Sequence, residues 1–402
     1  MKPFSFSDDA VPLDLLHQLA FNLRWAQQPA DVIPLTAADP DFPICPAIQE
    51  ELVRYVQEGV LSYGPPEGLP GFREAVAEWM RATRRLDCTP ETIFATDSAA
   101  SAMAVVARAS LRPGDEVLIP DPVDFLFQHT VERAGGVPVR VPVGPATTAE
   151  EFIAGMQARL TPRTRMLWLC NPHNPLGVVY TREWQKSVAE WAIAHGLRIL
   201  SDEIWSDIVY PPCSHVALAS ISPEIDRRTA TVHGFSKNFA LGGLRVGCVV
   251  CADPEWRQQI VDASDAGSTV FGVSVLSQVA VIAAVRGGRE WLAQFVLHLQ
   301  GQRDYALQRL AQWPGVTVTP PQGTYVIFPC VRSLGEDAER VCEQLREQAR
   351  VALVPGGRWF GPGAAGHLRL CFATSRRILE QAFDRLDPIV RQMAAKVRDA
   401  KA

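Results

Sequence analysis

Gly234-Phe235-Ser236-Lys237-Asn238-Phe239-Ala240-Leu241-Gly242-Gly243-Leu244-Arg245-Val246-Gly247 sets one lysine among small and apolar residues, with an arginine eight positions later and glycines around both. Lysine becomes a carbonyl-reactive nucleophile only where burial or a neighbouring cation lowers its pKa. The stretch therefore reads as a site built around an amine. A solvated loop lysine is the competing reading of these residues taken alone, and the rest of the chain decides between the two.

With 402 residues the chain is long enough for two or three structural units around a large buried core. Hydrophobic residues make up 47% and charged residues 21%, the balance of an ordinary globular protein rather than a disordered or membrane-embedded one. The net charge of −5 and pI near 5.9, with no extended Lys/Arg stripe, give no electrostatic reason to bind nucleic acid or an anionic membrane. Apolar runs are short and broken by Pro, Gly or charge, so no membrane-spanning helix of about 20 residues is expected. The start, Met1-Lys2-Pro3-Phe4-Ser5-Phe6-Ser7-Asp8-Asp9, lacks a basic region followed by an apolar run, and a cytoplasmic location is expected. Nine scattered cysteines fit a reducing compartment. Cys248-Val249-Val250-Cys251 spells C-x-x-C, but it lies in an apolar run that reads as a buried strand, where positions i and i+3 face opposite ways.

Short apolar runs alternate with longer helical periods, the pattern of a largely parallel sheet covered by helices. Candidate strands are Thr92-Ile93-Phe94-Ala95, Glu116-Val117-Leu118-Ile119, Met166-Leu167-Trp168-Leu169, Arg198-Ile199-Leu200-Ser201 and Val249-Val250, with helices over Ala100 to Leu111 and Glu183 to His195. Ligands of such sheets lie at the carboxyl ends of the strands. From about Arg289 a long helix, Glu290 to Leu310, leads into hairpin-like strands at Val316-Thr317-Val318 and Tyr325-Val326-Ile327-Phe328 and a final helix. The expected division is an N-terminal segment 1–50, helical over Asp14 to Leu23, joining the small domain; a large domain 51–288; and a C-terminal α+β domain 289–402.

Several motifs surround the lysine in order. Asn171-Pro172-His173-Asn174-Pro175-Leu176-Gly177 follows one strand, and Ser201-Asp202-Glu203-Ile204 closes the next. Thr96-Asp97-Ser98-Ala99-Ala100-Ser101 bridges a strand and a helix, where free N–H groups can cradle an anion. Tyr63-Gly64-Pro65-Pro66-Glu67-Gly68-Leu69-Pro70-Gly71-Phe72-Arg73 precedes them, while Val354-Pro355-Gly356-Gly357-Arg358-Trp359-Phe360-Gly361 and His367-Leu368-Arg369-Leu370-Cys371-Phe372-Ala373 come last. Singly, each has a bland reading: a Pro-rich turn, a strand-end acid, a surface arginine. Together, from about Leu35 to Ala373, they resemble class I/II, fold type I aminotransferases dependent on pyridoxal 5'-phosphate (PLP).

The resemblance implies a PLP Schiff base on Lys237, with the same lysine moving protons in catalysis. It implies Asp202 against the pyridinium nitrogen, so that the ring acts as an electron sink, and Asn174 donating to the cofactor's phenolic oxygen. Arg245 and the Ser98, Ala99 and Ala100 loop would hold the phosphate, and Arg369 would pair with the substrate α-carboxylate beside Ala38 and Asn174. Tyr63 would reach the phosphate of a neighbouring subunit, making the sites shared across a homodimer. Arg358 reads as a surface or gating residue.

Three positions depart from the family. Ser98 stands where glycine is usual. Asp124, in Asp121-Pro122-Val123-Asp124-Phe125-Leu126-Phe127, replaces the aromatic that stacks on the cofactor ring; Phe125 is the favoured substitute, with Phe127 or a different cover for the ring as the alternatives. Trp205 replaces a tyrosine, and an indole only donates. Asp202-Glu203-Ile204 followed by Ser206-Asp207, and the start Ala37-Ala38-Asp39-Pro40-Asp41-Phe42, are similar to cystathionine β-lyase-like C–S lyases. The leading expectation is transfer of an L-amino acid's α-amino group to a 2-oxo acid. The alternative is a PLP lyase or cyclase acting by β- or γ-elimination, with Asp124 and Asp207 favouring a basic amino acid such as arginine.

Overall fold

The computed structural model describes residues 4–335 and 337–400. At its centre is a seven-stranded sheet of β1 (Ile93–Thr96), β2 (Glu116–Asp121), β3 (Val137–Pro142), β4 (Thr164–Cys170), β5 (Arg198–Asp202), β6 (Thr229–Gly234) and β7 (Gly247–Cys251). The spatial order is β1-β7-β6-β5-β4-β2-β3, parallel throughout except for β7, which runs antiparallel to both neighbours. β5, β6 and β7 are buried along nearly their whole length because helices cover both faces, which is why they read as unbroken apolar runs rather than as alternation.

This topology gathers the chemistry at one edge. The carboxyl ends of β1, β2, β4, β5 and β6 lie together, and the amino end of β7 enters among them, with Gly247 paired to both Thr96 and Gly234. Helix α1 (Ala99–Ser110), rich in Ala and Val, starts at this edge with Ser98 as its cap. A Cβ on Gly247 would come within 2.7 Å of the Ala99 nitrogen, so only glycine lets the start of α1 lie against β7. Cys248 and Cys251 sit on opposite faces of β7 in separate apolar clusters, as strand geometry requires.

The second lobe has a three-stranded antiparallel sheet in which Leu368–Cys371 lies between Val354–Pro355 and Val326–Ile327. Helices Arg289–Leu310 and Arg376–Asp399 pack against each other beside it. Val316-Thr317-Val318 does not form a strand: only Thr317 bridges to Cys330. Pro314, Pro320 and Pro321 flank this run and remove ladder donors. The strand at Tyr325 to Phe328 shortens to Val326–Ile327.

The N-terminal helix spans Leu13–Leu19 and does not continue to Leu23, whose φ of 56° is left-handed. Beyond it Ile33–Pro34 pairs in parallel with Val351–Ala352, and Leu35 O accepts from Cys371 N, tying the segment to the second lobe. The boundary at residue 50 falls inside helix Pro46–Gln57, whereas that at 288 falls between helices Val275–Gly287 and Arg289–Leu310. Residues 1–3, 336 and 401–402 of the expected segments lie outside the described residues.

Candidate active site

Lys237 follows β6 directly, and its Nζ points into a cavity of about 470 Å³ between the lobes. Nζ donates to Ala38 O at 2.6 Å and lies 5.6 Å from the Trp205 ring centre. Burial lowers the Lys237 pKa from its ordinary value, with Asp39 opposing the shift. A lysine held this way loses its proton more readily than a solvated one, the condition for nucleophilic attack.

Asp202 ends β5, buried, with Oδ1 accepting from Ile204 N at 3.1 Å. Removal from water is the largest influence on it and pushes its carboxyl up to about 7. Asn174 hangs from the turn after β4, set by the left-handed Gly177 (φ 70°), where any Cβ would collide with Pro321. Its Nδ2 donates to Asp124 Oδ2 at 2.8 Å, and its Oδ1 accepts from Arg369 Nη1 at 3.3 Å. Arg369, on the middle strand of the second lobe, also donates from Nη2 to Thr36 O at 3.3 Å. Its Nε is buried without a partner, and burial lowers its pKa.

The opposite end is open to anions. Ser98 Oγ accepts from Ser101 N at 3.0 Å and fixes the start of α1, whose first N–H groups have no intrahelical partner. Arg245, left-handed at φ 52°, lines the same cavity from the exposed rim. The wall between the two ends combines Trp205, Phe125 and Trp359, with Asn22 and Leu23 reaching in from the N-terminal segment. Trp205 packs edge-on to Tyr325, with ring centres 4.6 Å apart. Phe125 lies edge-on to Trp359 at 5.1 Å.

These groups fit pyridoxal phosphate. An uncompensated buried carboxylate suits a protonated ring nitrogen, the capped helix start with Arg245 suits a phosphate, and the orphaned Arg369 Nε suits a carboxylate. Fold and site together define a fold type I PLP-dependent enzyme.

The chain belongs to the class I and II aminotransferase family, whose model matches residues 30–386. It is 33% identical to a probable aspartate/prephenate aminotransferase of Aquifex aeolicus, over 89% of this chain and 90% of that one. The aspartate aminotransferase of Geobacillus stearothermophilus is also 33% identical, with coverage of 89% and 90%. Among solved structures, an aromatic aminotransferase from Pyrococcus horikoshii superposes with a TM-score of 0.84 at 31% identity, covering 92% of this chain and 97% of that chain. Cystalysin from Treponema denticola has a TM-score of 0.88 at 21% identity over 97% of this chain and 99% of that one, a likeness of fold alone. PLP-dependent amino-group transfer is thus the activity, and the C–S lyase resemblance is minor.

The cavity brings together Lys237, Asp202, Asn174, Arg245, Arg369, Ala38, Trp205, Phe125, Ser98, Ala99 and Ala100. Tyr63 is not among them: it is 88% exposed, against Phe271. Asp207 is no part of the wall either, because its carboxylate is buried against Arg84 at 2.8 Å and Asn238 at 2.6 Å. Phe127 also lines the cavity, with its buried ring edge-on to Trp168 at 5.8 Å. The Asp124–Asn174–Arg369 chain and the approach of Asn22 and Leu23 were not readable beforehand. Asp124 carried a signal as a misplaced acid, but its bond to Asn174 spans 50 residues.

Proposed function

We propose that this chain moves the α-amino group of an L-amino acid to a 2-oxo acid with Lys237 as both cofactor anchor and proton carrier. The observation that supports it most is a partly buried amine with lowered pKa, facing one cavity with Asp202 and Arg369. Bound PLP supplies an electron sink for the carbanion formed at the substrate Cα. Asp202 keeps the ring nitrogen charged, Asn174 donates toward the phenolic oxygen, and Arg245 with the Ser98–Ala100 turn holds the phosphate. Arg369 would orient the α-carboxylate, and Lys237 Nζ would take the Cα proton.

Each site is proposed to be completed across a homodimer by Tyr63 of the second copy, which its exposure in one protomer supports. The division into segment 1–50, large domain 51–288 and small domain 289–402 follows the same reading. A cytoplasmic location is proposed on the nine free cysteines. Among the described residues no helix is long and apolar enough to cross a membrane.

The deciding experiment mixes PLP-loaded enzyme with one amino acid at a time, without oxo acid, and follows the cofactor spectrum. Stoichiometric conversion to the pyridoxamine form is expected. Release of ammonia and oxo acid over many turnovers would instead mark elimination.

A further inference from the structure

We propose that Asp124 makes this site selective for amino acids whose side chain ends in a cation, an amine or a guanidinium, over those ending in a carboxylate. The proposal rests on the reading of the cavity given above and names its substrate class. Asp124 caps helix Phe125–Arg133, with Oδ1 accepting from Leu126 N at 3.1 Å and Oδ2 from Asn174 Nδ2 at 2.8 Å. An ionised carboxylate offers about four acceptor positions, so two remain for a donor in the cavity that Asp124 lines. Leu23, Phe125 and Trp359 line the same cavity and present apolar surface along which an aliphatic stem can lie.

The balance of charge points the same way. Among the described residues lining the cavity, the cations are Lys237, Arg245 and Arg369. In the filled site Arg245 would pair with the phosphate and Arg369 with the α-carboxylate, while Lys237 is engaged with the cofactor or at the substrate Cα. His173, next to Asn174, has both ring nitrogens buried and its pKa lowered to about 3, so it stays neutral. No lining cation is left to receive a second carboxylate. The phosphate carries roughly −1.5 to −2 charge. Together with the α-carboxylate, Asp202 and Asp124, it slightly outweighs Lys237, Arg245, Arg369 and the protonated ring nitrogen, and Asp124 is the lining acid left without a cationic partner. A distal carboxylate would meet Asp124 as a like charge in a cleft with apolar walls, whereas an ammonium or guanidinium would find a bonded, oriented acceptor. The relatives named for aspartate therefore do not predict the side chain this pocket takes.

The test measures binding of ligands that lack an α-amine and so cannot enter the reaction. PLP-loaded enzyme is titrated in a calorimeter with 5-guanidinopentanoate, heptanoate and adipate, which share a carboxylate for Arg369 and differ at the far end. Wild type is expected to bind 5-guanidinopentanoate at least about tenfold more tightly than heptanoate, and adipate more weakly than either. In Asp124→Asn the ratio of the first two is expected to fall below about threefold. Adipate binding as tightly as 5-guanidinopentanoate would overturn the proposal, including by way of a cation supplied by a second subunit. So would a cation preference that survives Asp124→Asn unchanged. The wild-type series decides alone if the variant does not fold. Because no turnover is involved, a failure here differs from a failure of amino-group transfer, which is read from the cofactor spectrum.

Discussion

The carboxyl-end edge of the seven-stranded sheet and the outer wall of the same cavity are built by different rules. At the edge, Asp202, Asn174, Ser98 and Lys237 each sit within a few residues of a strand end, and the parallel sheet carries them to one line. Local sequence places them, because a strand of given length delivers its last residue to a known place. The wall draws Asn22 and Leu23, Asp124 and Phe125, and Trp359 from three distant parts of the chain, none at a strand end of the large sheet except through the β2 loop.

The largest expected effect breaks the edge. Lys237→Ala should abolish the visible band of lysine-bound cofactor and lower transfer by at least about 10⁴-fold, measured by stopped-flow absorbance. A band that persisted would remove Lys237 from its role. Asp202→Asn should cost about 10²-fold or more in turnover, yet stabilise the cofactor-free protein at alkaline pH. The sign follows from its carboxyl, raised from 3.8 to about 7 in the fold. Between these values the folded chain holds a proton that the unfolded chain has released, so wild-type stability falls as pH rises through this window. Urea titrations of the cofactor-free forms should show the variant gaining on the order of 4 kcal/mol at pH 8 relative to pH 4.

Arg369→Lys exchanges a planar fork for a point charge and should reduce kcat/KM by about 10- to 100-fold, mainly through KM. A drop confined to kcat would mean that the arginine does not hold ground-state substrate. The smallest effect probes what one protomer leaves exposed. Tyr63→Ala should weaken PLP binding about tenfold. Mixing it with Lys237→Ala should restore activity, since one site of the mixed dimer then has both residues intact. No recovery on mixing would confine Tyr63 to its own chain.

Legibility followed the same division. The α/β class and the strand positions could be read because hydrophobic runs, Pro and Gly mark strand ends over short distances, while Lys237 and Asp202 were singled out by the resemblance of the motifs that hold them. Val316 to Val318 misled because β-branched residues suggest a strand, whereas flanking prolines deny it partners. Asp207 misled in another way: nearness in sequence to Trp205 suggested the cavity, but adjacent residues at a turn diverge, and Arg84 claims its carboxylate from the opposite side. The helix expected over Asp14 to Leu23 stopped at Leu19, and the turn beyond is what lets Asn22 and Leu23 approach the site.

By itself the sequence determined the α/β class, and the resemblance of its ordered motifs carried the expectation that Lys237, Asp202 and Arg245 face one cofactor and Arg369 the substrate. Only the tertiary structure decided that Asp124 holds Asn174, that Arg369 keeps a buried donor free, and that Asp207 is withdrawn. The physical reason is range. Spacing along a strand is set by bond geometry, whereas a hydrogen bond between residues 50 or 195 apart depends on how whole lobes pack.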